Sequence, residues 1–364
     1  MSKAVIGLGF GDEGKGCTVD WLCNLSPAST VVRFSGGHQA GHNVVAKGLE
    51  HVFSNFGSGT IRGNPTYWDE HCTIDPVAIR REYTILRSKG ISPRLYINRN
   101  CPVSTFLERS ANRESIETMH HGTCGVGFFE TLKRERNHFS LTAMDLKWND
   151  VVEMKLKIFA NQYYNVKIEL DDHNEFIDAY RWLQTSNEVK IVESSAGIVG
   201  NDSIYESSQG LMLDENIGFF PHVTPSSVGT KRLREMGVSP QMFYVTRAYQ
   251  TRHGNGPMTQ HTYGEKDNII VNPKETNYDC GAQGKFRRSM LDVNLLEYAL
   301  RKDGGQRDDS VLVVTCLERL KEFMFYYSGK IITSSSKEEF VREIKTILDF
   351  KHAICCTNHN FKDL

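Results

Sequence analysis

The sequence of 364 residues has no long apolar run and no excess of charge of one sign. Without a stretch of about 18 apolar residues, a transmembrane helix is not expected. Lys plus Arg total 43 and Asp plus Glu total 44, so the net charge of −1 provides no general attraction to nucleic acid or to an anionic membrane. The first residues do not show the basic and then apolar pattern of a secretory signal, because a glycine-rich acidic loop follows at once. We therefore expect a cytoplasmic protein that binds neither nucleic acid nor membranes.

The nine cysteines follow no regular spacing and include no C-x-x-C pair. An odd number of irregularly spaced cysteines argues against a disulfide framework and against a structural zinc site. We interpret them as reduced thiols, which agrees with a cytoplasmic location.

The first forty residues predict a βαβ unit. Residues 3–10 form a short apolar run that ends in glycines, a helix is expected from about residue 15 to 25, and residues 30–37 form a second strand. This order predicts an α/β fold with a large, mostly parallel central sheet flanked by helices. There is no repeat and no Pro/Ser-rich linker, so we expect one continuous domain over residues 1–364.

Further elements are expected along the chain. Asp75 followed by Pro76 is a helix start, and that helix should end near Gly90. Apolar spacing also predicts helices over 173–186, over 288–302 and around 340–348, and apolar runs predict strands over 94–98 and 310–316.

The loop "GFGDEGKG" (residues 9–16) fits two phosphate-binding patterns. Read as G-x-G-x-x-G, it needs an acidic residue at the end of the second strand to bind a ribose. That strand offers Arg33 and Ser35 and no carboxylate, which counts against NAD and leaves NADP as an alternative through Arg33.

Read as G-x-x-x-x-G-K, the same loop predicts a P-loop-like nucleotide-binding fold. Its glycines let backbone N–H groups and the helix N-terminus face phosphate oxygens, and Lys15 adds a positive charge. Gly16 and Cys17 follow the lysine where a P-loop has Ser or Thr. Asp12 can replace that hydroxyl as an oxygen ligand for Mg²⁺. The alternative is an ordinary turn in which Asp12 and Glu13 face solvent.

The loop and the segment after it together resemble the adenylosuccinate synthetase family. "GDEGKG" at 11–16 is followed by "RFSGGHQAGHNVV" at 33–45, close to the family's G-D-E-G-K-G and G-G-x-N-A-G-H-T. Further matches occur in the family's order, so that the resemblance spans residues 4 to about 318. They are "HGTCGVG" (121–127), "ESSQGLMLD" (206–214), "FFPHVTPSS" (219–227), "TRHGNGPM" (251–258) and "CGAQGKFRRSMLD" (280–292).

The resemblance implies a two-step C–N ligase reaction. A nucleoside triphosphate phosphorylates the 6-oxo oxygen of a purine monophosphate, and the amine of L-aspartate then displaces that phosphate. Asp12 is the expected base for the purine N1 proton, and His42 is the expected donor to the negative charge that develops. The resemblance also implies Mg²⁺ held by Asp12 and the carbonyl of Gly41.

The family's binding residues carry over to matching positions. For the triphosphate they are Gly11, Asp12, Glu13, Gly14, Lys15, Gly16, Gly41, His42, Asn43 and Glu318. For the substrate nucleotide they are Asp12, Lys15, Gln39, Thr123, Cys124, His138, Gln209 and Thr224. For aspartate they are Gly281, Ala282, Gln283, Gly284, Lys285, Arg287 and Arg288.

The resemblance also implies a homodimer in which a basic residue of one subunit reaches the substrate phosphate of the other. Arg134, Arg136 and His138 are the candidates for that residue. The alternative for these residues is a solvated basic helix face.

Departures from the family pattern bear on the substrates. "TCLE" at 315–318 stands where the family binds the guanine of GTP with T-K-L-D, which favours ATP or dATP as the phosphoryl donor. "KFRR" at 285–288 replaces four arginines, one of which touches the ribose in the family. Both changes resemble the phage 2-aminoadenylosuccinate synthetase branch, which acts on dGMP, and would then place the enzyme in a host cytoplasm.

Alternatives remain open on the sequence alone. Some members of the phage branch have Ser where this chain keeps Asp12, so IMP with GTP is the second substrate pair. Outside the ligases, a nucleotide-binding regulator without catalytic activity and a dehydrogenase are the other possibilities.

Overall fold

The computed structural model describes residues 1–114, 124–259, 268–272, 284–305 and 307–364. Its strands in chain order are β1 (Lys3–Gly7), β2 (Val31–Arg33), β3 (His42–Ala46), β4 (Leu49–Phe53), β5 (Thr66–Trp68), β6 (Leu95–Asn98), β7 (Val189–Val192), β8 (Ile204–Gly210), β9 (Gln241–Arg247), β10 (Tyr249–His253), β11 (Phe286–Asp292), β12 (Val311–Thr315), β13 (Phe323–Tyr327), β14 (Lys330–Ser334), β15 (His352–Thr357) and β16 (Asn360–Asp363).

Ten of these strands form the central sheet, in the order β16-β15-β12-β9-β1-β8-β2-β5-β6-β7. Every neighbouring pair is parallel except β15 and β16 at one edge. The predicted α/β class with a mostly parallel central sheet is therefore confirmed. Strand β1 lies in the middle of the sheet, where Ala4, Val5 and Ile6 are fully buried, as its apolar run requires.

Two smaller sheets lie outside the central one. One has the order β10-β11-β13-β14, and the other is the hairpin of β3 and β4. β10 and β11 are antiparallel, with Thr251 opposite Arg288 and His253 opposite Phe286. This pairing brings the segment that follows β9 next to the segment predicted to bind aspartate.

The described α-helices are α1 (Lys15–Leu25), α2 (Pro76–Ser88), α3 (Phe106–Glu114), α4 (Phe128–Arg136), α5 (Asn149–Ile158), α6 (Leu170–Thr185), α7 (Thr230–Glu235), α8 (Val293–Asp303) and α9 (Lys337–Ile347). Helix α2 starts as predicted: the carboxylate of Asp75 accepts hydrogen bonds from the backbone N–H groups of Val77 and Ala78 at 2.8 and 3.2 Å. In the described part of the chain, no helix is long and apolar enough to cross a membrane.

The helix predicted over 288–302 is wrong in its first turn. Residues 286–292 are strand β11, which pairs with β10, and the helix begins at Val293. Asp292 ends the strand and caps the helix by accepting a hydrogen bond from the N–H of Asn294 at 3.0 Å. Apolar spacing fits Met290 and Leu291 to either element, and the neighbouring strand decides between them.

Candidate functional site

A cavity of about 860 Å³ opens at the carboxyl ends of the central strands. The segments after β1, β2, β8, β9 and β12 all contribute to its wall. In open parallel sheets this edge is where ligands bind. The cavity brings together fourteen of the residues predicted from the sequence, which are Gly11, Asp12, Glu13, Gly14, Lys15, Gly16, Gln39, Gly41, His42, Asn43, Cys124, Gln209, Thr224 and Glu318.

Glu13 organises the glycine loop from within. Its side chain is buried and accepts hydrogen bonds from the N–H groups of Gly9 and Gly11 at 3.1 and 2.8 Å. The ammonium of Lys15 lies 2.6 Å from the same carboxylate. Burial acts to raise the pKa of Glu13, but Lys15 and the backbone hydrogen bonds outweigh burial and hold this pKa below its usual range. The alternative in which Glu13 faces solvent is therefore wrong, and Lys15 is held in place at the cavity wall.

The two glycines around Lys15 let the loop meet helix α1 and strand β3. Gly14 precedes α1 with a φ of 92°, in the left-handed region that favours glycine. A Cβ on Gly16 would lie 2.8 Å from the Cβ of His42, so only glycine allows helix α1 to approach His42 this closely.

His42 is held by a buried carboxylate that sequence reasoning did not identify. The Nδ1 of His42 donates to Glu206 Oε1 across 2.6 Å, and Nε2 lies 3.3 Å from the carbonyl oxygen of Ser208. Glu206 also accepts hydrogen bonds from the hydroxyl and the backbone N–H of Ser58. Both His42 and Glu206 are buried, so this contact fixes the ring orientation of the candidate catalytic histidine.

Burial and charge shift the pKa values of this pair. Burial lowers the pKa of His42, despite the opposing attraction of Glu206. Burial alone would raise the pKa of Glu206, but His42, Arg33 and Ser58 outweigh burial and lower it to about 2. Glu206 is therefore a carboxylate at neutral pH, and it selects the His42 tautomer with a proton on Nδ1.

Arg33 does not support the NADP alternative. Its side chain is fully buried, with the guanidinium carbon 5.5 Å from the centroid of the Trp68 ring. It lies outside the wall of the cavity, so it offers no cation to a ribose phosphate there.

Asp12 lies at the cavity wall. Its φ of 61° is unusual for a residue other than glycine, and Arg247 Nε donates to its backbone carbonyl. The side chain of Asp12 is 21% exposed, with Oδ2 lying 3.7 Å from Nε2 of His253. A partly exposed carboxylate on a fixed backbone is suited to proton transfer or to binding a cation.

Gln39 offers a free amide to the cavity. Both its Oε1 and Nε2 are buried and lack a hydrogen-bond partner within the described ranges. Buried amides are nearly always hydrogen-bonded, so this side chain is suited to a polar ligand. Gln209, Cys124 and Thr224 line the cavity with it.

A second group of residues that lines the cavity comes from the segment after β12 and from the turn between β15 and β16. Glu318 Oε2 accepts a hydrogen bond from the backbone N–H of Asn358 at 3.3 Å, and Glu318 Oε1 lies 3.5 Å from Nε of Arg319. The thiol of Cys17 lies 3.2 Å from Nδ1 of His359. The hairpin turn between β15 and β16 therefore borders the cavity beside Glu318.

The segment predicted to bind aspartate is described only in part. Thr123, Gly281, Ala282 and Gln283 lie outside the described residues. Gly284, Lys285, Arg287 and Arg288 do not line the cavity, but β10 beside them supplies Arg252 and His253 to its wall. Sequence reasoning gave neither of these two residues a role, although both are in the "TRHGNGPM" segment.

The three candidates for a residue donated to a partner subunit lie in different surroundings. Arg134 is fully buried, with Nε 2.7 Å from Glu108 and the guanidinium carbon 4.4 Å from the centroid of the Phe159 ring. It is therefore excluded from a contact between subunits. Arg136 is exposed and lines the cavity of its own chain, whereas His138 is exposed and does not.

Sequence comparison identifies the family. The profile described as "Adenylosuccinate synthetase" matches residues 4–325. The adenylosuccinate synthetases of Methylibium petroleiphilum and Nitrosomonas europaea are 31% and 33% identical, and each match covers 70% of this chain. These matches span only 62% and 63% of the relatives' own lengths. The enzyme of Thermodesulfovibrio yellowstonii is 29% identical over 95% of this chain and 84% of its own.

Two solved structures share the fold. The fully ligated adenylosuccinate synthetase of Plasmodium falciparum superimposes with a TM-score of 0.79 at 16% identity, over 98% of this chain and 97% of that one. The cyanophage S-2L succinoaminodeoxyadenylate synthetase (PurZ), bound to dGMP and to dATP as an energy donor, gives a TM-score of 0.61 at 15% identity, over 97% of this chain and 91% of that one. By its sequence profile and its curated relatives, the chain belongs to the adenylosuccinate synthetase family.

Proposed function

We propose that this protein joins L-aspartate to C6 of a 6-oxopurine monophosphate through a 6-phosphoryl intermediate, with dGMP as the preferred substrate and ATP or dATP as the phosphoryl donor. The product is then 2-amino-deoxyadenylosuccinate, with release of ADP or dADP and phosphate, as a step towards diaminopurine DNA. The observation that carries the ligase assignment is the meeting of Asp12, Lys15 and His42 in one cavity, with His42 fixed by Glu206.

Three side chains have distinct tasks in this reaction. The Asp12 carboxylate takes the N1 proton of the purine, which makes O6 nucleophilic. Lys15, at the N-terminus of α1, attracts the phosphates of the donor. His42, with Nδ1 held by Glu206, presents Nε2 to the phosphoryl oxygens and donates a hydrogen bond there when protonated.

The residues present suit a magnesium ion. Mg²⁺ usually takes one or two protein oxygens and completes its coordination with phosphate oxygens and water. The Asp12 carboxylate and the Gly41 carbonyl, both at the cavity wall, are the residues that would hold it. When bound, the ion supplies charge neutralisation between the phosphates and the carboxylate.

The choice of ATP or dATP as the phosphoryl donor rests on the residues that follow β12. Glu318 follows β12 without the neighbouring lysine that the family uses to stack on guanine, since Cys316 stands there and lines the cavity. The loss of this stacking favours a donor other than GTP. The fold is also shared by the cyanophage enzyme that binds dGMP and dATP.

The second candidate is the ordinary adenylosuccinate synthetase reaction with IMP and GTP. It is favoured by the names of the curated relatives and by the intact carboxylate at Asp12.

A side-by-side assay with aspartate and Mg²⁺ separates the two. We expect faster phosphate release with dGMP and ATP than with IMP and GTP, and faster turnover of IMP would overturn the dGMP assignment. Asp12→Ala should abolish phosphate release while nucleotide binding is retained. An unchanged rate in that variant would favour a role other than the ligase.

The proposal includes a homodimer in which His138 reaches the substrate phosphate of the partner. His138 is exposed just beyond α4 and does not contribute to the cavity of its own chain, as a residue donated to a partner requires. Mixing inactive Asp12→Ala and His138→Ala proteins should restore part of the activity, since one site of the mixed dimer is then complete. A mixture as inactive as its components would contradict this arrangement.

A further inference from the structure

The ring of His253 lies at the cavity wall, and its nitrogens make no hydrogen bond within the described part of the chain. Both Nδ1 and Nε2 are buried and have no hydrogen-bond partner within the described ranges of the chain. The ring packs on Phe286, with centroids 4.7 Å apart and an angle of 40° between the planes. The backbone of His253 is paired with that of Phe286 in the β10–β11 ladder. Its ring is packed on the same residue, and the ring nitrogens are left available to a ligand.

The position of His253 relates it to two other parts of the site. Its Nε2 lies 3.7 Å from Oδ2 of Asp12, the proposed base for N1 of the purine. On the other side, β10 pairs with β11, and the N–H of Gly254 donates to the carbonyl of Lys285 at 3.0 Å. His253 thus lies between Asp12 and the strand pair that holds Lys285, a described residue of the segment predicted to bind aspartate.

We infer that His253 binds the amine of the incoming L-aspartate and positions its nitrogen for attack on C6 of the purine. N1 and C6 are adjacent ring atoms, so an amine placed at C6 must pass within a few ångströms of the carboxylate that serves N1. Reacting atoms need to be held about 3–3.5 Å apart for efficient attack. His253 is the described side chain that combines this position with unpaired polar atoms.

The contact leaves the reactive electron pair free. L-aspartate binds with its amine in the free-base form, and one N–H donates to the unprotonated Nε2 of His253. The nitrogen forms a bond to C6, and the C6–O6 bond breaks with its electron pair leaving on phosphate. The second amine proton passes to the departing phosphate. His253 makes no covalent bond in this step and acts by positioning the nucleophile.

The inference rests on the proposed ligase function and is tested by separating its two half-reactions. Phosphoryl transfer without aspartate is followed by isotope scrambling in ATP labelled with ¹⁸O at the β,γ-bridge, in the presence of the purine monophosphate. The complete reaction is followed by phosphate release at varied aspartate. His253→Phe keeps the packing on Phe286 and removes both nitrogens, while His253→Gln returns an acceptor oxygen near the position of Nε2.

We expect His253→Phe to raise the KM for aspartate at least tenfold, and to change the scrambling rate and the KM for the monophosphate by much smaller factors. His253→Gln should recover part of the loss. An unchanged KM for aspartate, or a scrambling rate that falls in parallel with it, would overturn the inference. A wild-type protein that neither scrambles ATP nor releases phosphate would instead overturn the proposed function on which the inference rests.

Discussion

The Nδ1 of His42 and the Oε1 of Glu206 lie 2.6 Å apart in a buried contact that joins strands β3 and β8. The two residues are 164 positions apart in the sequence. Their contact places the imidazole at the cavity wall with one nitrogen engaged and the other directed towards the carbonyl of Ser208. This contact fixes the orientation of the ring, and Nε2 donates to a developing oxyanion once it takes up a proton in addition to the one on Nδ1.

Glu206→Gln should slow phosphoryl transfer. The amide keeps the size of the side chain but no longer selects the His42 tautomer, because either its oxygen or its NH₂ group can face Nδ1. We expect kcat to fall on the order of 10²- to 10⁴-fold, because the same carboxylate-to-amide change beside a catalytic histidine in a Ser-His-Asp triad costs about 10⁴. The KM for both nucleotides should change little, and steady-state phosphate release measures both parameters.

Ser58→Ala provides the matched control for this variant. It removes a hydroxyl that donates to Glu206 and leaves the contact between Glu206 and His42 in place. We expect a much smaller loss of kcat. Equal losses in the two variants would mean that packing around Glu206, and not its contact with His42, determines the rate.

The same carboxylate should make stability depend on pH. The pKa of Glu206 is lowered to about 2 in the folded protein, so its contribution is present above its ordinary pKa near 4.5 and is lost as the pH falls below that value towards 2. The free energy of unfolding of the wild type minus that of Glu206→Gln should shrink by about 2 kcal/mol between about pH 6 and pH 3. Urea unfolding across this range measures the difference, and parallel curves for the two proteins would contradict it.

The sequence predicted four of the ten strands of the central sheet, β1, β2, β6 and β12, because the signals for these strands are local. An apolar run that ends in glycines predicts β1, and a glycine loop before Lys15 predicts α1, which begins at that residue. The same local signals fail where two elements meet. Met290 and Leu291 fit a helix face by spacing, and only the presence of β10 beside them makes them part of a strand.

The site residues that could be predicted are those that belong to short sequence motifs. The loop from Gly11 to Gly16 and the segment around His42 were found because their residues are close in sequence, and the fold brings both to one cavity. Glu206 and His253 were missed as partners of His42 and Asp12, because each contact joins distant segments. Nothing in a single sequence records such a distance.

Arg134 and Arg136 should respond differently to the same substitution. Arg134→Met leaves the buried carboxylate of Glu108 without its partner, and we expect a loss of about 3–5 kcal/mol in the free energy of unfolding. Arg136→Met removes an exposed ion pair with Glu215 and should cost less than about 1 kcal/mol. Because Arg136 lines the cavity, its variant should instead raise the KM for the purine monophosphate. Urea unfolding and initial rates measure the two effects, and equal destabilisation would contradict the assignment.

Cys17 and Cys124 should report which end of the cavity each nucleotide occupies. Both thiols are partly exposed and line the cavity, whereas Cys23, Cys72 and Cys101 are buried and burial raises their pKa values. An alkylating reagent such as iodoacetamide should therefore modify Cys17 and Cys124 well before these three. Peptide mass mapping over time measures each rate separately.

The bound nucleotides should protect the two thiols selectively. Cys17 follows Lys15 in the first turn of α1 and contacts His359, so MgATP should slow its alkylation several-fold and leave Cys124 reactive. Cys124 belongs to the predicted monophosphate site, so dGMP should protect it and leave Cys17 reactive. Cys17→Ser serves as the control, because it should retain MgATP binding and lose only the protected signal. Protection of both thiols by either nucleotide alone would show that the cavity closes as a unit, and the assignment of its two ends would then have no support.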